Sequence, residues 1–258
     1  MKLQEFLSRH YGVSRRKAGD LIKSGKVKVD GIVVREPWFQ IREESTVEVE
    51  RVKVKPQPFR RVVVLLYKPR GILSSMIFEE KGKKGLIYLL KRNSLLKALK
   101  LKGVRRIFPV GRLDYDSEGL LVLTNDGGLA NRLSHPSSGV SKVYIVDVFF
   151  FLPDFTRRNR REAKSFKEEL EFLSSGEKLE DGFFQPDEVK ILKKELLRYE
   201  GIEFGVVYKV KVIIHSGKKR ILRRFFSAKG GRVLGLKRIV MGPYQLGNLK
   251  PGEWVFCE

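Results

Sequence analysis

Residues 111–127 set a polar turn directly against a buried strand. The turn, Gly111-Arg112-Leu113-Asp114-Tyr115-Asp116-Ser117-Glu118-Gly119, carries acids at 114, 116 and 118; Leu120-Leu121-Val122-Leu123 then run apolar until Asn125-Asp126-Gly127 break the pattern. A short apolar run bounded by turn residues predicts a strand buried within a sheet. Such a strand is stiff and holds the loop that feeds it. That suits a catalytic carboxylate, which must sit within a fraction of an ångström of its target.

Other chemistries fit the same acids less well. Asp114-x-Asp116-x-Glu118-Gly119 has the look of a calcium loop, but its twelfth position is Asn125 rather than Glu, and Leu120 to Leu123 would have to line a hydrated site. A glycosidase-type pair, Asp114 with Asp116 or Glu118, fits the composition, and the sequence does not give the separation. The histidines, His10, His135 and His215, have no metal-ligand spacing, and Cys257 is the lone cysteine. No metal is expected, and the single thiol fits a reducing compartment.

The charge balance points to a polyanion. The chain has 53 Lys+Arg against 30 Asp+Glu, a net of +23 over 258 residues, so nucleic acid is the first candidate partner. A membrane is disfavoured, because no apolar run approaches about 18 residues and no lipidation motif or leader is seen. Hydrophobic residues make up 42%, enough for a core and against wholesale disorder.

The first fifty residues read as a small helix-and-hairpin module. Leu3, Phe6 and Leu7 have helical spacing up to Gly12. Ser14 offers an N-cap to a second helix with Ala18, Leu21 and Ile22 on its apolar face. Val27 and Val29, then Ile32 to Val34, flank the hairpin signal Asp30-Gly31, and Val47 with Val49 adds a strand. Arg15, Arg16 and Lys17 crowd the first turn of the second helix, against its dipole, which favours a phosphate seat over a merely solvated face. Residues 53–61, with Pro56 and Pro58, read as a linker.

Beyond it, Val62 to Tyr67 predicts a buried strand and Lys68-Pro69-Arg70-Gly71 a turn. Lys81-Gly82-Lys83-Lys84-Gly85 lacks P-loop spacing and is expected to be a mobile basic loop. Leu95, Leu96 and Leu99 have helical spacing, as do Leu129 to Leu133. Lys142 to Val148 and Val206 to Ile214 are expected strands, and residues 218–226 a helix with Leu222, Phe225 and Phe226 inward, closed by Gly230-Gly231. Arg157 to Arg161 form a basic run with no assigned role.

The 111–127 stretch resembles the signature of the RNA pseudouridine synthases, in the branch that modifies single ribosomal uridines. Tyr67-Lys68-Pro69-x-Gly71, Lys142-x-Tyr144, Leu179-x-Asp181-Gly182, Leu222-Arg223-Arg224 and the tail Leu236-Lys237-Arg238-Ile239, Gly242-Pro243 extend the resemblance over nearly the whole chain. Ser14-Arg15-Arg16-Lys17-Ala18 and Gly25-Lys26-Val27-Lys28-Val29-Asp30-Gly31 resemble the S4 RNA-binding domain. The resemblance implies an α+β fold: an S4-like domain over 1–52, a linker over 53–61, and over 62–258 a catalytic domain with a mainly antiparallel sheet, flanking helices and a central cleft.

It further implies that Asp114 is the catalytic aspartate, Tyr144 the aromatic on which the base stacks, Leu222 an aliphatic neighbour of that base, and Arg223 the partner of Asp114. Arg112 is expected either to touch the displaced nucleotide or to bridge within its loop. Arg15, Arg16, Lys17 and Lys26 are expected to hold RNA. The implied activity converts a specific uridine of ribosomal RNA to pseudouridine, without cofactor, by a cytoplasmic monomer. A non-catalytic RNA-binding assembly factor on the same fold is the alternative. Three departures bear on substrate contacts: Ile221 stands where the family has Gln, Phe225 where it has Met, and His215 where Glu is common.

Overall fold

The computed structural model describes residues 1–56, 58–151, 165–199 and 202–257; the Arg157 to Arg161 run lies outside them. In chain order the helices are α1 (Leu3–Phe6, continued by a π-turn Leu7–Tyr11), α2 (Arg15–Lys23), α3 (Leu86–Arg92), α4 (Leu95–Leu101), α5 (Gly127–Ser134), α6 (Phe166–Ser174) and α7 (Ile221–Ala228). The strands are β1 (Val27–Val29), β2 (Ile32–Val33), β3 (Val47–Val49), β4 (Val52–Val54), β5 (Val63–Lys68), β6 (Glu79–Glu80), β7 (Lys83–Lys84), β8 (Phe108–Pro109) and β9 (Glu118–Thr124). They continue as β10 (Lys142–Phe151), β11 (Glu177–Leu179), β12 (Gly182–Phe184), β13 (Glu188–Tyr199), β14 (Ile202–Ile214), β15 (Arg232–Met241), β16 (Tyr244–Gln245) and β17 (Trp254–Cys257). They fall into two compact units, Met1–Val62 with Ser94–Phe108, and Val63–Asn93 with Pro109–Glu258.

In the first unit the alternating valines form an antiparallel sheet of order β2-β1-β3-β4. Asp30 and Gly31 both take positive φ, 51° and 82°, as the two-residue hairpin turn requires. Leu3, Leu7, Ala18 and Ile22 bury the helices against Val27, Val47 and Val49. Ser14 caps α2 by accepting from the Lys17 amide at 3.0 Å. The sheet runs on to Val54, past residue 52, where the sequence suggests a boundary, because β4 pairs with β3. The returning segment is fastened by Arg105, which donates to the His10 carbonyl at 2.8 Å, and by Arg106, which donates to Ser8 Oγ at 2.7 Å.

The second unit is built on a sheet of order β13-β14-β10-β15-β9-β5-β17. β9 is buried along its apolar run and pairs antiparallel with β5 over its length. Its first residues also pair parallel with β15, Glu118 beside Lys237 and Gly119 beside Arg238. The sequence does not flag β13 or α6, although α6 starts with a capping box, Ser165 with Glu168. The Lys81 to Gly85 segment is not a mobile loop: β6 and β7 form a hairpin, with Lys81 and Gly82 at positive φ in its turn. α7 begins at Ile221 rather than 218, because Arg220 stands in the left-handed region at φ 51° as its N-cap.

Candidate active site

Three segments of the second unit hold the Asp114 loop. From the turn after β5, the Gly71 amide donates to the Tyr115 carbonyl at 2.8 Å. Ser74 Oγ accepts from the Leu113 amide at 3.0 Å and donates to its carbonyl at 2.7 Å. That turn is itself organised by Lys68, whose buried ammonium donates to the carbonyls of Pro69 and Ile72 at 2.8 and 2.9 Å. Burial pushes the Lys68 pKa down to about 8, while Asp114, Asp116 and Glu118 pull it back up. On the far side Gly119 opens β9 at φ +103°, and a Cβ there would run into the Arg238 backbone. Only glycine fits both demands.

From α7, Arg220 forks onto Asp116 with two 3.1 Å hydrogen bonds. Arg223 adds its Nε at 3.3 Å from Asp116 Oδ2, and its Nη2 donates to the Asp116 carbonyl at 2.9 Å. Burial works to raise the Asp116 carboxyl, but the bonds from Arg220 and the two guanidinium charges outweigh it and hold it below the ordinary value. Burial lowers Arg223, partly offset by Asp116.

The expected direct pair of Asp114 and Arg223 is thus replaced: Arg223 serves Asp116, and Arg220 is the cation at Asp114, 4.0 Å from its Oδ2. The reason is backbone geometry. The left-handed Arg220 starts α7 three residues later than the residue pattern suggests, and its fork reaches across both acids.

Asp114 is 23% exposed and lines a cavity of about 410 Å³. Tyr144 and Leu222, both buried, line it too, as do Leu236, Arg112, Lys142 and Arg238. Four of the five residues expected at the site therefore come together, and Arg223 stands behind them. The other two acids of the motif are occupied. Asp116 has its arginines, and Glu118 accepts from Tyr67 Oη at 3.1 Å with Arg70 3.7 Å away. Among the described lining residues Asp114 supplies the carboxylate, so the glycosidase pair lacks its second acid.

The three departures resolve differently. Ile221 lines the cavity. Phe225 is wholly buried and stacks edge-on with Phe184 and Phe226, at centroid distances of 5.4 and 5.0 Å, so it is core. His215 pairs with Asp187 at 3.0 Å, and its carbonyl is within 3.3 Å of Lys142 Nζ.

In the first unit Arg15, Arg16 and Lys17 are exposed on the first turn of α2. Lys26 instead pairs with Glu50 at 2.6 Å, which balances its charge.

Residues 62–228 match the RNA pseudouridylate synthase family. The chain belongs to that family. Residues 1–47 match the S4 domain, so the RNA pseudouridylate synthase portion follows an RNA-binding module. An RNA pseudouridine synthase of Aquifex aeolicus, uncharacterized by name, is 39% identical over 98% of this chain and 89% of its own length. Ribosomal large subunit pseudouridine synthase B of Bacillus subtilis is 37% identical over 98% and 90%. A crystal structure of a pseudouridylate synthase, 23% identical, superposes over 100% of this chain and 96% of that one with a TM-score of 0.55, and so shares the α+β fold. Among the described residues no helix is long and apolar enough to cross a membrane.

Sequence reasoning named Asp114, Tyr144 and Leu222 but gave no role to Arg220, nor to Lys68, Lys142 and Arg238, which it quoted only within motifs. Little in the sequence marks the last two: Lys142 is the first residue of its strand, and Arg238 follows Lys237 in a strand that also carries Arg232.

Proposed function

We propose that this synthase isomerises a uridine of ribosomal RNA, with Asp114 as the catalytic residue. The name of the Bacillus subtilis relative favours large-subunit RNA as the substrate. The observation that carries the reading is the placement of Asp114: a carboxylate at the mouth of a buried strand, in a cavity walled by Tyr144 and Leu222.

The chemistry follows from these residues. The target uridine leaves its stack, at a cost of a few kcal/mol that is least in loops. Tyr144 offers a ring face to the base, worth about 1–3 kcal/mol, and Leu222 closes the apolar side. Asp114 acts as an anion, either on C1′ or on a sugar proton. Arg220, which cannot lose its proton at neutral pH, keeps a positive charge 4.0 Å from Asp114 Oδ2. Arg112, which is exposed and lines the cavity, contacts the displaced nucleotide in this reading. Arg15, Arg16 and Lys17 supply phosphate contacts on the S4 domain, and binding weakens by about 0.9 log units per duplex contact for each tenfold rise in salt. Lys26, paired with Glu50, contributes less to this interface than its exposed neighbours.

The test is to map pseudouridines in ribosomal RNA from cells with and without the gene. One or a few positions missing without the gene, and restored in vitro by the purified protein, support the proposal. An unchanged map, with purified protein inert on RNA from the deleted strain, refutes it and leaves an RNA-binding assembly factor.

A further inference from the structure

The floor of the cavity holds two buried cations that have no carboxylate partner of their own among the described residues. Arg238 is 2% exposed. Its Nε donates to the Leu120 carbonyl at 2.9 Å, while Nη2 is buried with no hydrogen-bond partner among the described residues. Lys142 is 8% exposed, and its ammonium has two backbone carbonyls, of Val140 and His215, each at a long 3.3 Å. Burial and the Arg238 charge both lower the Lys142 pKa, so the two cations feel each other. Placing such groups out of water is costly, and an unmade donor costs more.

The strand pairing aims them at the cavity. Along β10 and β15 the register shifts between Val143 and Tyr144, so that Val143 faces Val240 and Tyr144 faces Arg238. The extra residue, Ile239, makes a bulge, a device that re-aims side chains beside active sites. Arg238 and Tyr144 are therefore cross-strand partners, and both line the cavity with Asp114. On the other flank Gly119 leaves the Arg238 backbone room.

Unpaired donors fixed in a cavity stabilise charge that appears only during reaction. Isomerisation of uridine produces such charge. When N1–C1′ breaks, its electron pair stays with the base and spreads over N1, O2 and O4. C1′ is meanwhile satisfied by the Asp114 oxygen, or by loss of a sugar proton to it. The base turns, C5 bonds to C1′ as that oxygen leaves or that proton returns, C5 gives up its proton, and N1 takes one. Atoms and electrons balance without an added reagent, and Arg238 need not transfer a proton.

We propose that Arg238, aided by Lys142, is an anion hole for the departing base, donating hydrogen bonds to a uracil carbonyl oxygen as the glycosidic bond opens. This rests on the isomerase reading above and goes beyond it by assigning the leaving group its own stabiliser.

The test is a leaving-group comparison under single-turnover conditions. The RNA fragment carrying the mapped uridine is made with uridine or 5-fluorouridine at that position, and loss of the starting nucleoside is followed. Fluorine makes the base a better leaving anion that needs less help. Arg238→Gln should slow the uridine substrate about 10²–10³-fold and the fluorinated one at least about tenfold less. Equal slowing of both substrates overturns the proposal, because a distorted pocket does not distinguish leaving groups. Should loss of the Leu120 bond unfold Arg238→Gln, Lys142→Gln, which leaves that bond in place, carries the same comparison with the same two outcomes. Wild-type protein inert on both substrates overturns the isomerase reading as well, so the two failures are separable.

Discussion

Lys68 tests how the Asp114 loop is held. Its ammonium is fully buried, and its pKa falls from the ordinary 10.5 to about 8. The folded state therefore gives up this proton before the unfolded chain does. Below about pH 8 both states carry the charge, and the folded state bears the whole desolvation penalty; above pH 10.5 neither does. Stability from this residue thus rises with pH across that window, by about 3 kcal/mol, from the gap between the two values at 1.36 kcal/mol each. Lys68→Met removes the titrating group. It also strands the carbonyls of Pro69 and Ile72, at about 1–3 kcal/mol, which nearly cancels the relieved penalty at neutral pH. The variant should lie within about 2 kcal/mol of wild type there and fall behind it as pH rises. Urea unfolding reports this through Trp254, which lies in the same unit, in a Trp38→Phe background that silences the other tryptophan. Lys142 and Lys229, also lowered by burial, tilt both curves alike. Parallel stability curves for wild type and Lys68→Met would refute the account of the turn.

Other consequences are as direct. Gly119→Ala places a Cβ against the Arg238 backbone at φ +103° and should cost about 3 kcal/mol or more; an unchanged melting temperature would contradict the close approach. Asp116→Asn loosens Arg220 and Arg223, yet its side chain is 43% exposed, so stability should drop by no more than about 1 kcal/mol while the single-turnover rate falls at least about tenfold. Because the Asp116 pKa is depressed, its own contribution to stability persists above the ordinary carboxylate value and vanishes only as pH falls below it, which acid titration of wild type against Asp116→Asn would reveal. Arg15→Ala with Arg16→Ala should weaken RNA binding and flatten its salt dependence by about 0.9 log units for each phosphate no longer neutralised; a salt slope equal to that of wild type would remove α2 from the RNA interface.

How much was legible follows the physics of each element. Buried strands announce themselves through local apolar runs, so β5, β9, β10 and β14 were readable, and so were the valine hairpins around Asp30-Gly31. α6 and β13 were not: Phe166 to Ser174 and Glu188 to Tyr199 mix charges with apolar residues and bury little, among the described residues only Glu169 and Leu173 of α6 and Val189 of β13. The site divides the same way. Asp114, Tyr144 and Leu222 sit in motifs that stand out in one dimension. Which arginine faces which acid depends on the left-handed turn at Arg220, and no residue pattern marks an arginine for positive φ. The buried cations Lys68, Lys142 and Arg238 were hidden because lysines and arginines ordinarily read as surface, and their burial follows from strand pairing alone.

The proposed isomerisation rests on one carboxylate. Asp114→Asn keeps the shape and removes the charge. With its nearest cation 4.0 Å away and the side chain 23% exposed, the substitution should alter stability by less than about 1 kcal/mol. Quantifying pseudouridine formed per enzyme in a single turnover, beside RNA affinity of the same preparation, decides the matter. Wild-type affinity with no detectable product is expected; an asparagine variant that still forms pseudouridine at a rate near wild type would remove Asp114 from the chemistry.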